Sequence, residues 1–155
     1  MLKTLGIVDA CYRSHAIRSR AARKLGGKSV LEWVVRRATD CQQLDGVIVV
    51  TCGAPENRFL AELVPLDVPV FVGRRQDTLG CFAAALDEYP AEAVLRIGSR
   101  SPFIDPMLID RLVRTAEADL ESDYVGYCSR SGRRAALSPA GVSAEWFRST
   151  ALRRA

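Results

Sequence analysis

Histidine occurs once in this 155-residue chain, and none of its five cysteines stands in a Cys-x-x-Cys pair. Local zinc motifs need four N or S ligands at close spacing, so the pattern argues against a structural zinc site. The cysteines, at 11, 41, 52, 81 and 128, are odd in number. That suits reduced thiols, mostly buried as small hydrophobes. Runs of about 18 apolar residues are missing, so no segment reads as membrane-spanning. Met1 to Val8 is too short and too early for a signal peptide's apolar region and cleavage site, and the protein is read as cytoplasmic. Repeats, low-complexity tracts and linkers are also missing, and the length fits one domain over residues 1–155. One stretch lacks acidic residues: Ala10 to Leu31 holds Arg13, Arg18, Arg20, Arg23, Lys24 and Lys28, with no Asp or Glu.

What is present is an ordinary globular composition, 48% hydrophobic and 26% charged. The net charge of +4 is a mild excess that suits an anionic partner such as a nucleotide or a phosphorylated sugar. Neither a helix-turn-helix pattern nor an aromatic RNA-binding platform is visible, so nucleic acid is not the expected partner.

Leu2 to Val8 reads as a strand, followed by a long basic loop ending at Gly26-Gly27. Ser29 and Glu32 make a capping box ahead of Val30, Leu31, Val34, Val35 and Ala38 at helical spacing. Val47 to Val50 is a continuous apolar run, as in a strand buried on both faces of a parallel sheet. Pro55 opens a short helix, and Pro69 to Val72 is a short strand. Leu79, Phe82, Ala83 and Leu86 form a helix face, and Ala93 to Ile97 a buried strand. Asp105-Pro106 starts a helix whose buried side is Leu108, Ile109, Leu112, Val113 and Ala116. Tyr124 to Cys128 is a further strand, 129–141 a polar loop or projecting hairpin, and Ser149 to Ala155 a short helix. Strands alternating with helices predict an α/β domain with a mostly parallel sheet and helices on both faces. Ligands of such sheets bind beyond the carboxyl ends of the strands, here the loops after Val8, Thr51, Ile97 and Cys128.

Several segments together resemble the cytidylyltransferases of spore-coat polysaccharide, sialic acid and 3-deoxy-manno-octulosonate metabolism. Val94-Leu95-Arg96-Ile97 through Ser101-Pro102-Phe103-Ile104-Asp105-Pro106 is similar to that family's strand, its Gly-Asp-Cys-Pro turn and its Leu-Ile-Asp-Pro helix start. Gly73 to Phe82 with Asp77 and Leu79, Gly26-Gly27-Lys28 with Val30-Leu31-Glu32, Asp123-Tyr124-Val125, and Gly141 to Phe147 match further family segments in order. The resemblance runs from about residue 5 to the end. It implies a three-layer nucleotide-diphospho-sugar transferase-like fold, shortened at its C-terminal end relative to the family. It also implies transfer of CMP from CTP to an acidic or related sugar for surface polysaccharide. Mg²⁺ would be the family's cofactor.

Carried over residue by residue, the resemblance places Arg13, Ser14 and Arg20 on the triphosphate and Arg20 where the family has a lysine. Arg96 and Glu145 become substrate-binding positions, and the loop at 129–141 a sugar-binding or homodimer contact. The departures lie in the chemistry. The family's first loop reads Arg-x-x-Ser-x-Arg-Leu-Pro-Gly-Lys, whereas Cys11 to Arg20 keeps only its Ser14 and has Arg18-Ser19 for Pro-Gly. The metal-holding aspartate of Gly-Asp-Cys-Pro is Arg100, and a second acidic position is Ser143. Arginine at position 100 repels a divalent cation but can itself stabilise phosphoryl oxygens. Asp9, at the end of the first strand, is the substitute carboxylate to test. For Arg96 an ion pair with Asp105 or Asp77 is the structural reading, and those two aspartates read as helix caps. Cys11 with His15 is a remote nucleophile–base candidate. The departures open a second expectation: an inactive nucleotide-binding or assembly domain of the same fold.

Overall fold

The computed structural model describes residues 1–12, 14–74, 77–100, 102–134 and 144–155. In sequence order the elements are β1 (Leu2–Asp9), α1 (His15–Ala22), β2 (Lys24–Leu25), β3 (Lys28–Ser29), α2 (Val30–Thr39), β4 (Gly46–Cys52), a 3₁₀ turn (Pro55–Asn57), α3 (Arg58–Glu62), β5 (Val70–Gly73), α4 (Thr78–Glu88), β6 (Ala91–Gly98), α5 (Pro106–Ala118), β7 (Tyr124–Gly126), β8 (Ala144–Arg148) and α6 (Ser149–Arg154). Six strands form one sheet in the order β5-β4-β1-β6-β8-β7. β5, β4, β1 and β6 run parallel, and β8 pairs antiparallel with both β6 and β7.

Alternation along the strands sorts the core into two layers. Val8, Val49, Leu95, Ile97 and Trp146 face α2 and α5, which contribute Leu31, Val34, Val35, Ile109, Leu112 and Val113. Leu5, Ile7, Ile48, Val50 and Val94 face α4 and α6, which contribute Cys81, Phe82, Leu86 and Leu152. The result is the helix–sheet–helix sandwich that continuous apolar strands demand.

The predicted caps are present. Ser29 Oγ accepts from Glu32 N at 3.0 Å, Asp105 Oδ1 accepts from Met107 N at 2.9 Å, and Asp77 Oδ1 accepts from Gly80 N. Asp110, on the buried side of α5, accepts from the amides of Gln42 and Gln43 at 3.1 and 2.9 Å and so pins the α2–β4 connection.

Several segments differ from the sequence reading, among them β8 (Ala144–Arg148), where the sequence predicts no strand. The basic stretch after β1 is not a plain loop but holds α1, with Ala21 buried and Arg20 exposed. Its sequence, His15 to Ala22, is mostly polar and basic, so no apolar periodicity marks it. Gly26 and Gly27, at φ of 59° and 88°, form the two-residue turn of the β2–β3 hairpin, which needs positive φ at both positions. Leu79 also departs from its predicted helix face: it is 48% exposed, and Cys81 and Ala85 are buried instead.

Candidate functional site

Three strand ends converge on one arginine. Arg96 stands directly opposite Glu145 in the β6–β8 ladder, and opposite Ile7 in the β1–β6 ladder. Asp9, two residues beyond Ile7, therefore lies on the same face. Arg96 Nε and Nη2 donate to Asp9 Oδ2 at 2.9 and 2.8 Å, and Nη1 donates to Glu145 Oε2 at 2.7 Å. Both carboxylates are otherwise occupied. Asp9 Oδ1 accepts from Cys11 N at 3.1 Å, and Glu145 Oε1 accepts from the Tyr124 hydroxyl at 2.9 Å. Burial works against the charge on Arg96, but Asp9 and then Glu145 outweigh it and hold the guanidinium above its usual range. The expected ion pair of Arg96 is thus real with different partners. Asp77 and Asp105 serve as helix caps.

A second set of contacts joins the loop after β1 to the loop after β6. The Tyr12 hydroxyl donates to Ser99 Oγ at 2.6 Å, and Ser99 Oγ donates to the Asp9 carbonyl. Both side chains are buried. Burial pushes the Tyr12 phenol up. The Ser99 bond opposes that shift, as does the Arg100 guanidinium, which lies near enough to act on the phenol. Arg100 itself is exposed, so its charge faces solvent beside Tyr12. Ser14 is the N-cap of α1, with no side-chain cap bond and no acidic residue in the helix's first turn. Among the described residues, the first amides of α1 are therefore uncapped donors at the positive end of a helix dipole, beside the Ser14 hydroxyl. Arg18 Nη1 donates to the Tyr12 carbonyl at 3.4 Å.

The sequence-predicted residues divide into two groups. Ser14 and Arg100 flank the Tyr12–Ser99 contact at the carboxyl edge of the sheet, with Arg20 exposed in the last turn of α1. Arg96 and Glu145 lie lower, on the α4–α6 face. They edge a cleft of about 490 Å³ lined also by Leu79, Phe82, Tyr124 and Phe147. Arg13 and Ser143 fall outside the described residues, as does most of the 129–141 segment expected to contact sugar or a second copy. Tyr12 and Ser99 are the residues that spacing did not point to. Neither type nor context marks a tyrosine and a serine 87 residues apart as partners.

The remote Cys11–His15 pair does not form. The Cys11 thiol donates to the Val50 carbonyl at 3.8 Å, and burial pushes it far above the usual thiol range. Such a group stays protonated and is a poor nucleophile. His15 is exposed, next to Ser19 at 3.5 Å.

Magnesium requires hard oxygen ligands, commonly one or two carboxylates together with substrate phosphates. Of the carboxylates placed here, Asp9, the substitute ligand expected from the sequence, and Glu145 are both paired with Arg96. Position 100 presents a cation. The described donor set does not fit a divalent metal.

A sequence model of the family described as Cytidylyltransferase matches residues 5–138. Among curated proteins, an uncharacterized protein of Methanocaldococcus jannaschii, MJ1063, is 32% identical over 113 residues, covering 72% of this chain and 46% of that protein. The spore coat polysaccharide biosynthesis protein SpsF of Bacillus subtilis is 25% identical over 125 residues, covering 77% of this chain and 52% of that protein. The chain thus spans about half the length of these relatives. Among solved structures, a cytidylyltransferase from Leptospira borgpetersenii superposes with a TM-score of 0.80 at 17% identity, covering 98% of this chain and 62% of that one. A CMP:2-keto-3-deoxy-manno-octonic acid synthetase complexed with CTP gives 0.73 at 14% identity, covering 98% and 76%. Rv0371c of Mycobacterium tuberculosis, in complex with manganese, gives 0.66 at 18% identity, covering 98% and 74%. At these identities the superpositions establish the three-layer fold.

Proposed function

The chain belongs to the cytidylyltransferase family, and from that premise we propose that it binds CTP at the basic edge above β1 and β6 and transfers CMP to an acidic or related sugar. The observation that carries the reading is the Tyr12–Ser99–Asp9 relay. It docks the loop bearing Arg100 against the loop bearing Ser14, at the carboxyl ends of parallel strands, where ligands of such sheets bind. Ser14, the first amides of α1, Arg13, Arg20 and Arg100 supply donors and positive charge to the triphosphate. In this reading arginine charge replaces the metal, and catalysis consists of positioning and charge neutralisation. The similarity to a polysaccharide biosynthesis protein supports surface polysaccharide as the pathway. The cleft beside Arg96 is left out of sugar-carboxylate recognition, because the Arg96, Asp9 and Glu145 group nets to one negative charge.

A second reading, CTP binding without transfer, is favoured by the commitment of Asp9 and Glu145 to Arg96. Pyrophosphate release separates the two. With CTP and a panel of acidic sugars, with and without Mg²⁺, the transfer reading predicts release with at least one sugar. Measurable CTP binding with no release from any sugar leaves the binding domain. Arg100→Ala should weaken CTP binding about tenfold or more, the loss of one charge-assisted hydrogen bond.

A further inference from the structure

Three thiols from three distant parts of the sequence meet at one point. Cys11 follows β1, Cys52 ends β4, and Cys81 lies in the first turn of α4. Their sulfurs all lie within 4.8 Å of one another, and Cys81 Sγ is 3.7 Å from Cys52 Sγ. None of the three is in a disulfide. Cys81 and Cys52 are 0% and 5% exposed, and Cys11 closes the group from the partly exposed side. Gly73, where β5 passes α4, lets the strand approach Cys81 closely: a Cβ there would fall 2.3 Å from its sulfur.

We propose that Cys11, Cys52 and Cys81 form a three-thiolate binding site for a trivalent thiophilic centre, with arsenite as the representative ligand. The spacing fits. Sulfurs bound at about 2.3 Å, a zinc–thiolate length, stand about 4.0 Å apart around a planar centre and closer around a pyramidal one. Only Cys11, on its loop, must draw in. Charge selects the valence. Three thiolates on a monovalent ion leave two negative charges in a buried site, and on a divalent ion one. Asp9, bonded to the Cys11 amide, adds a negative neighbour. Buried net charge is costly. A trivalent centre gives a neutral product: arsenous acid, As(OH)₃, reacts with three thiols to form As(SR)₃ and three waters, with no change of oxidation state. Zinc is further disfavoured because its structural sites take four ligands, and these three cysteines are the only such cluster among the described residues.

The test uses the whole protein kept reduced with a phosphine and titrated with sodium arsenite. Native mass spectrometry should show one adduct, heavier by one arsenic and lighter by three hydrogens, with a sulfur-to-arsenic band growing in the near ultraviolet. Cys11→Ser, Cys52→Ala and Cys81→Ala should each weaken binding by more than about 100-fold, beyond the loss of a mere supporting contact. Cys41→Ser and Cys128→Ser should leave it unchanged. Because buried variants can misfold, the wild-type protein also carries the test: X-ray absorption at the arsenic edge should show three sulfur neighbours and no oxygen, while the exposed Cys128 stays open to alkylation. Absence of a three-hydrogen adduct, an oxygen neighbour on the bound arsenic, or tighter occupancy of the same thiols by Zn²⁺ or Cu⁺ would overturn the proposal.

Discussion

Arg96 shows how one residue decides what a site can hold. Its guanidinium takes the carboxylates of Asp9 and Glu145, at 2.8 and 2.7 Å. Removing one partner of a buried ion pair costs about 3–5 kcal/mol, because the remaining charge is stranded. About a third of the Arg96 side chain stays exposed, so Arg96→Met should cost less, about 2 kcal/mol by urea denaturation. An unchanged midpoint would mean that water already satisfies Asp9 and Glu145. Neither partner was legible in the sequence. They lie 87 and 49 residues from Arg96, and strand register, not spacing, brings them to one face. Tyr12 carries the residue-scale pH prediction. Burial raises its phenol, and burial likewise pushes the Cys41 and Cys81 thiols up to about 12. Groups raised in the folded state hold protons that the unfolded protein releases earlier. Their stabilisation is complete below the unfolded values, about 8.5 for thiols and 10 for tyrosine, and is lost as pH rises through the folded ones. Unfolding free energy should therefore decline from about pH 9 upward, and the part beginning near pH 10 should shrink in Tyr12→Phe. A flat profile to pH 11 would contradict the burial of these groups.

Elements were legible where burial wrote a pattern. The runs at Val47 to Val50 and Ala93 to Ile97 marked the central strands, which extend to Gly46–Cys52 and Ala91–Gly98. Capping residues marked α2, α4 and α5 for a chemical reason, since each cap accepts from an otherwise orphaned amide. Asp105→Ala should accordingly cost about 1 kcal/mol, read as a fall in thermal midpoint. α1 was illegible because its polar, basic sequence carries no apolar stripe. The thiol cluster was illegible because each cysteine comes from a different element. Where β5 meets α4 the fit is close. Gly73→Ala drives a methyl into Cys81 and should cost about 1–3 kcal/mol, as overpacking does. A neutral effect would mean that β5, an edge strand, moves aside freely.

At the scale of the molecule the family fold is kept, and the open question is the chemistry at its carboxyl edge. Gly26-Gly27 and Asp105-Pro106 serve the fold directly, as a turn with positive φ at both positions and as a capped helix start. At the site, Asp9 and Glu145 are both bound to Arg96, and position 100 carries a cation. The central claim is that nucleotide binding here rests on arginine and amide donors and not on a divalent ion. Titration calorimetry with CTP, run in Mg²⁺ and again in excess chelator, tests it most directly. The account predicts dissociation constants that agree within about threefold, a difference under about 1 kcal/mol. Binding that appears in Mg²⁺ and vanishes in chelator would contradict it.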